Sequence, residues 1–391
     1  MRVFLCFIAL AATSFAADTI AVLPLFNLNE KGAPNLDWIG ESVSETIDEA
    51  LSSTGLLVLT REDRAEVYKR LSLRTGVVLT KASVIKIGET LDAGEIVSGE
   101  FKVEDGPALK APIRLTIRVI DLKKLRQRAE FTQSGTLEGL SQMETKLAWM
   151  VLHELAPDRA PSEEVFFHDR APVRVEAMES YVRGLMAASD DQKLKLFTQA
   201  AKLDEHFSQP NFQLGRMMFA KKDYKAAGDW LAKVTKSDSH FLEASFLRGV
   251  SKYYLGDFEG AADQLKMVAN EIPLNEVYND LGAALSRKND VKASEYFSKA
   301  LDGDDRDPDY WFNLGYALWK QGRFELAAAN FRAVLDRAPS DQEATSMLGR
   351  CLKKDGPRAG DPRSEGRERI KTTFEDSAWR QLQAELRSAP K

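Results

Sequence analysis

At 391 residues the chain is too long for one ordinary hydrophobic core, so two or three domains are expected. Apolar residues make up 44% and charged residues 29%, which excludes collagen, wholesale disorder and a polytopic membrane protein. Basic residues number 54 against 59 acidic, a net charge of −5, so no global basic field exists to gather phosphates and nucleic acid is not expected as a partner.

Met1-Arg2 is a short basic start, Val3 to Ala12 is an uninterrupted apolar run, and Ser14-Phe15-Ala16 supplies the small residues a signal peptidase reads. That order predicts a secretory signal over residues 1–16, too short to span a bilayer, and a secreted, periplasmic mature protein. No later run of 18 apolar residues occurs, so no transmembrane segment is expected in the mature chain. Cys6 lacks the small preceding residues that lipidation wants. Cys351 is then the lone thiol, expected to be packed and inert, and two cysteines exclude a disulfide framework or a thiolate metal site.

Ile20 to Leu23 reads as an interior strand closed by Pro24. Ile39, Val43, Ile47, Ala50 and Leu51 fall at helical spacing, with Asp37 as N-cap and Gly55 as stop. Leu56 to Leu59 reads as a second buried strand, running into Thr60-Arg61-Glu62-Asp63, a helix start. Arg61 is expected to serve as an ion-pair partner at that start. A short helix around Val84 to Leu91 and a strand from Glu95 to Phe101 follow. Ile113, Leu115, Ile117 and Val119 alternate with Arg114, Thr116 and Arg118 in a strand with one wet face. Arg126 to Gly135 returns as its hairpin partner, and Leu140 to Leu155 is an amphipathic helix before the linker prolines Pro157 and Pro161.

This order over residues 18–156 resembles the TolB amino-terminal domain and its CsgG- and FlgO-like envelope relatives. The matching pieces are Ile20 to Pro24, Leu57 to Asp63 and Asp92 to Glu100. Relatives often carry a glycine in the turn after the alternating strand, where this chain has Leu122-Lys123-Lys124-Leu125. The resemblance implies an interaction or assembly module of the cell envelope, without catalysis.

Beyond a linker over 157–176, Gly215, Gly249, Gly282, Gly315 and Gly349 recur at spacings of 34, 33, 33 and 34. Trp311, Leu314-Gly315, Leu318, Gly322, Phe324, Ala327, Phe331 and Pro339 complete one unit that resembles a tetratricopeptide repeat. Small residues at the glycine and alanine positions let two helices approach, Phe and Leu fill the gap beyond, and such hairpins must stack to cover their apolar faces. Residues 177–355 are expected to form about five repeats, beginning with an eroded one at Tyr181, Gly184, Phe197 and Ala200 and ending in a capping helix over Glu343 to Lys354. Residues 356–371, rich in charge, Gly and Pro, are expected to be a flexible linker. Residues 372–388 are expected to hold a C-terminal helix, bearing Trp379, Leu382 and Leu386, that caps the stack or docks elsewhere. The expected fold class is α+β and multidomain: a small mixed α/β sandwich-type domain, then an all-α tetratricopeptide solenoid.

The resemblance implies that the first helix of each repeat lines a concave groove. Its positions here are Phe212, Arg216, Phe219, Phe246, Tyr253, Tyr254, Asn279, Arg287, Phe312, Tyr316, Trp319 and Lys320, with Arg350 and Lys353 near the end. Aromatic rings with a few positive heads suit an extended protein or peptide partner. The family's clamp for a terminal carboxylate does not fit, because Phe or Asn stands where its lysines would be.

Catalytic, cofactor-binding and metal-binding residues are not expected. There is no phosphate loop and no nucleophile elbow, and His153-Glu154 is followed by Pro157 where a zinc-protease motif needs its second histidine. Asp302, Asp304, Asp305 and Asp307 lack the glycine and terminal glutamate of a calcium loop and read as a solvated turn. The function expected is a non-enzymatic scaffold that binds a partner in its groove and docks to an envelope complex through its first domain. The alternatives are a self-associating assembly protein, hence a homo-oligomer, or an enzyme with a site between domains.

Overall fold

The computed structural model describes residues 19–29, 34–73, 78–358, 360–361, 364–375 and 377. The expected signal over 1–16 and most of the expected helix over 372–388 lie outside these residues.

Five strands form one sheet: β1 (Ile20–Val22), β2 (Phe26–Asn27), β3 (Glu95–Val103), β4 (Pro112–Asp121) and β5 (Arg126–Thr136). β1 and β2 lie parallel to β3 on one side, with Ile20 opposite Glu95 and Phe26 opposite Glu100. β4 and β5 follow antiparallel, so the order is β1-β3-β4-β5. Period-two alternation in β4 sends Ile113, Leu115, Ile117 and Val119 into the core and leaves Arg114 exposed. On the wet face Arg118 bonds Glu100 at 2.9 Å and Glu130 at 2.8 Å. The turn over 122–125 has no glycine; Leu125 takes its left-handed position at φ 48° and stands exposed.

Helices cover the sheet. α1 (Trp38–Ser53) and α4 (Leu140–Leu155) pack on the face carrying Val22, Val97 and Ile117. α2 (Arg61–Arg70) and α3 (Lys81–Thr90) cover Ala21, Leu23 and Ile96 on the other. Thr60 caps α2 through a reciprocal box with Asp63. Arg61 pairs with Glu41 at 3.7 Å, one helix away. Leu56 to Leu59 differs from expectation. It is half-buried and makes only one parallel bridge, Val58 to Ile20, because Thr60 turns the chain into α2 before a ladder forms.

The segment between the two parts is more ordered than a linker. α5 (Glu163–His168) buries Phe166, and Arg170 lies 4.1 Å over that ring while bonding Glu49 of α1 at 3.2 Å. Then come α6 (Val175–Met186), α7 (Asp190–Leu203), α8 (Ser208–Ala220), α9 (Tyr224–Leu231), α10 (Phe241–Tyr254), α11 (Phe258–Glu271), α12 (Asn275–Arg287), α13 (Ala293–Gly303), α14 (Pro308–Lys320), α15 (Phe324–Arg337) and α16 (Gln342–Leu352). They stack as successive antiparallel pairs, α16 being the last helix among the described residues. Met178, Tyr181 and Phe197 of the first pair join the same core as α1 and α4, so the sheet domain closes one end of the stack.

The glycine grid is steric. A Cβ at Gly215 would lie 2.5 Å from Leu231, one at Gly249 2.9 Å from Leu265, and one at Gly282 2.8 Å from the Phe297 ring. At Gly349 it would meet nothing within 4 Å among the described residues. Gly282→Ala should therefore destabilise the chain by about 1–3 kcal/mol through overpacking. Gly349→Ala should stabilise α16 by up to about 1 kcal/mol through helix propensity. Chemical denaturation of the two variants checks the contrast, which disappears if the grid is a matter of composition alone.

Glu144 of α4 is 1% exposed and accepts hydrogen bonds from Ser42 at 3.2 Å and Thr46 at 2.9 Å. Burial pushes its carboxyl up to about 8, against those two bonds, from an ordinary 4.5. The folded chain thus holds a proton that the unfolded chain releases, so this contribution is complete in acid below the ordinary value and is lost as pH rises towards about 8. Glu144→Gln, neutral and of the same shape, should raise the melting temperature by a few degrees at pH 8 and change it little at pH 4.5. Equal effects at the two pH values would contradict this assignment.

Candidate functional site

The first helices of the repeats line the concave face, and that face is occupied. The chain turns back after α16, and residues 364–375 run along it without helix or strand, crossing α16, α14, α12 and α10 in turn. Composition predicted a flexible linker over 356–371, but the solenoid supplies partners for the Arg367, Glu368, Arg369 and Lys371 side chains and for main-chain groups of Ser364, Arg369 and Lys371.

The seating begins beside α14. Trp319 donates its indole N–H to the Asp355 carbonyl, and Tyr316 its hydroxyl to the Ser364 carbonyl, each at 2.8 Å. Glu368 accepts from Ser286 Oγ at 2.7 Å and from Tyr253 Oη at 3.3 Å. At the centre two buried amides hold both main-chain polar groups of one residue. Asn279 and Asn313 each donate an Nδ2–H to the Arg369 carbonyl at 2.8 Å, and Asn313 Oδ1 accepts the Arg369 N–H at 2.8 Å. Two residues on, the Lys371 N–H donates to Asp280 Oδ1 at 2.9 Å. At the far end Phe374 lies 5.4 Å from the Phe246 ring, and the Glu375 N–H donates to Glu276 at 2.7 Å.

Side chains of this segment meet an acidic shelf. The Arg369 guanidinium sits 3.7 Å over the Phe312 ring and bonds Asp341 at 2.8 Å, Asp309 at 3.1 Å and Glu343 at 3.5 Å. Lys371 Nζ lies between Asp307 at 2.6 Å and Asp309 at 2.7 Å, and Arg367 meets Glu343 at 3.0 Å. Burial works to raise the Asp309 carboxyl, yet the cations of Lys371 and Arg369 hold it below the usual aspartate range. Burial likewise works to lower the Lys371 ammonium, and Asp307 and Asp309 outweigh it, so Lys371 is raised. Charge-assisted bonds of this kind, partly out of water, are stronger than neutral ones.

The candidate positions divide. Phe246, Tyr253, Asn279, Phe312 and Tyr316 touch the seated segment, and Trp319 bonds the Asp355 carbonyl ahead of it. Arg287 lies over the Phe258 ring at 4.5 Å, its guanidinium close to Gly366. Lys320 donates to the Ser286 carbonyl, and burial lowers its ammonium. Phe212 is buried and stacks on His240 at 4.3 Å. Arg216 pairs with Glu243 at 3.9 Å, and Arg216 and Phe219 line a cleft of about 1500 Å³ between solenoid and sheet domain. Tyr254 stacks on Tyr224 at 4.4 Å, half exposed. Arg350 bonds Asp361 at 3.2 Å.

The aromatic expectation overlooked Asp280, Asp309, Asn313, Asp341 and Glu343. A signal was present, since Glu243, Glu276, Asp309 and Glu343 each stand six residues before a grid glycine. Asp307, assigned to a solvated turn, instead pairs with Lys371.

The cleft also gathers titratable groups, and neighbours engage each of its central carboxylates. Asp48 bonds Arg64 at 2.8 Å, Glu49 bonds Arg170, Asp238 bonds His240 at 3.2 Å, and Glu144 is held by Ser42 and Thr46. Among the described residues no three His, Cys, Asp or Glu side chains converge on a metal position, and no helix is long and apolar enough to cross a membrane.

A tetratricopeptide repeat model matches residues 279–342 and 312–356, the stretch that carries Asn279, Asn313 and the acidic shelf. No curated protein matches the chain. Among solved structures the chain is similar to YrrB, described as a TPR protein with an unusual peptide-binding site. That likeness has 17% identity over 48% of this chain and 91% of that one, with a TM-score of 0.36. It is also similar to MamA from Desulfovibrio magneticus RS-1, at 23% identity over 42% of this chain and 95% of that one, with a TM-score of 0.38. A MamA RS-1 double mutant gives 24% identity over 41% and 91%, with a TM-score of 0.38. The family model places tetratricopeptide repeats within residues 279–356 of the helical stack that follows the small α/β domain.

Proposed function

We propose that the chain is a non-enzymatic interaction scaffold that receives an extended protein segment along the concave face of its solenoid. One observation carries this reading: an extended segment is already seated there, gripped at the main-chain N–H and carbonyl of Arg369 by Asn279 and Asn313. Main-chain bonds of this kind give affinity without regard to sequence, and the flanking side chains add selectivity. The tetratricopeptide fold is itself that of a protein-interaction scaffold, which agrees with the chemistry of the face.

In this proposal the protein acts outside the cytoplasm, in the periplasm, and the sheet domain docks on an envelope complex. The basic, apolar, then small order of residues 1–16 supports the first part. The resemblance of residues 18–156 to TolB amino-terminal and CsgG- or FlgO-like domains supports the second.

Phe312, Tyr316 and Trp319 are 0% exposed and hold the last repeats together, so truncating them would report on folding and not on binding. Asp309 and Glu343 are the better probes, their side chains being 32% and 35% exposed. Affinity capture from an envelope extract should recover a partner with the full chain and lose it with the folded Asp309→Lys/Glu343→Lys variant. Recovery of the same proteins by both forms would overturn the groove reading.

A further inference from the structure

The concave face reads more than an extended backbone. Its acidic shelf takes two cations on alternate residues, Arg369 and Lys371, on the same side of an extended strand. One residue before the first cation, Glu368 points to the opposite wall, where Ser286 and Tyr253 receive it. Three residues beyond the second cation, Phe374 enters the apolar surface at Phe246. These four side chains and the main-chain groups of Arg369 and Lys371 form a register, because a slip of one residue would turn each cation away from its carboxylates.

Resting on the scaffold reading above, we propose that the groove recognises an extended segment of pattern Glu-Arg-x-Lys-x-x-Phe, and that residues 364–375 are the chain's own copy, which a partner bearing this pattern must displace. Residues 364–375 hold three basic and three acidic residues, so the complementarity is local: Arg367, Arg369 and Lys371 meet the acidic shelf, and Glu368 is received on the other wall. Tethering makes that occupancy intramolecular, at an effective concentration of about 1 mM for a short connection. A free segment binding with a Kd of about 10 μM would then meet an apparent affinity about 100-fold weaker on the closed chain. The ion pairs also make closure salt-dependent, since their carboxylates stand partly in water.

The test uses a fluorescent synthetic peptide with the sequence of residues 364–375 and three forms of the full chain. Wild type has tail and groove intact, Arg369→Glu/Lys371→Glu disables the tail, and Asp309→Lys/Glu343→Lys added to that variant reverses the shelf. The peptide should bind the tail variant about 100-fold more tightly than wild type, and the shelf-reversed form should lose that binding. Equal affinity for wild type and the tail variant would overturn closure by the tail while leaving the groove as a peptide site. No binding to the tail variant, with its melting temperature retained, would overturn the pattern itself; the capture experiment then still decides the scaffold reading. Amide exchange on the wild-type chain gives a second readout. Slow exchange at Arg369 and Lys371 is expected, and exchange as fast as in the free peptide would overturn the proposal.

Discussion

Asn279 and Asn313 set the terms for the rest of the solenoid. Each is a fully buried amide on the concave face, and a buried amide without partners costs about 1–3 kcal/mol per orphaned group. Their side chains bond each other at 2.8 Å, and Asn279 also donates to Asp280 at 2.9 Å, which still leaves donors to satisfy. An apolar ligand would leave them unpaired. An extended main chain satisfies them, because the Arg369 carbonyl accepts both Nδ2–H groups while the Arg369 N–H meets Asn313 Oδ1. The face is therefore built for backbone, and the seated tail supplies it.

Much of this architecture was legible in the residues. Five glycines at a repeat of 33 or 34 located the hairpins because glycine, there, is a spacing device: each of Gly215, Gly249 and Gly282 faces a large side chain of the following helix. The alternating strand, the Thr60 cap and the helix over Leu140 to Leu155 followed from period and capping chemistry. What escaped depended on tertiary partners. The tail looks flexible by composition, and its extended course depends on the Asn279 and Asn313 amides and on acidic positions at three helices, α12, α14 and α16. Leu56 to Leu59 has the apolar content of an interior strand but lies at the sheet edge, where only Ile20 pairs with it. The groove was expected to be aromatic with positive heads. The rings are present, but several are consumed as packing, and the charge that faces the ligand is negative.

The sheet domain has a mechanical part in this. A helical stack exposes apolar surface at each end, and terminal repeats usually need a polar cap. At its first end the stack shares a core with α1 and α4, and Arg170 ties the intervening segment back to Glu49. At its last described end α16 carries Gly349, where a Cβ would meet no described neighbour within 4 Å. The tail crosses from α16 to α10, so it spans most of the stack and resists changes in curvature as well as filling the groove.

That geometry bears on how occupancy and shape are linked. The tail bonds Glu343 on α16, Asp309 and Asn313 on α14, Asn279 and Asp280 on α12, and Phe246 on α10, so its release removes contacts across four repeats together. In a nearest-neighbour stack each interface otherwise relaxes nearly alone. A ligand that bridges several interfaces couples them, and an incoming segment that reaches only one or two of the positions cannot recover what the tail loses. Selectivity for the full pattern then arises from competition: a segment must match most of the register before it exceeds the advantage that tethering gives the resident one.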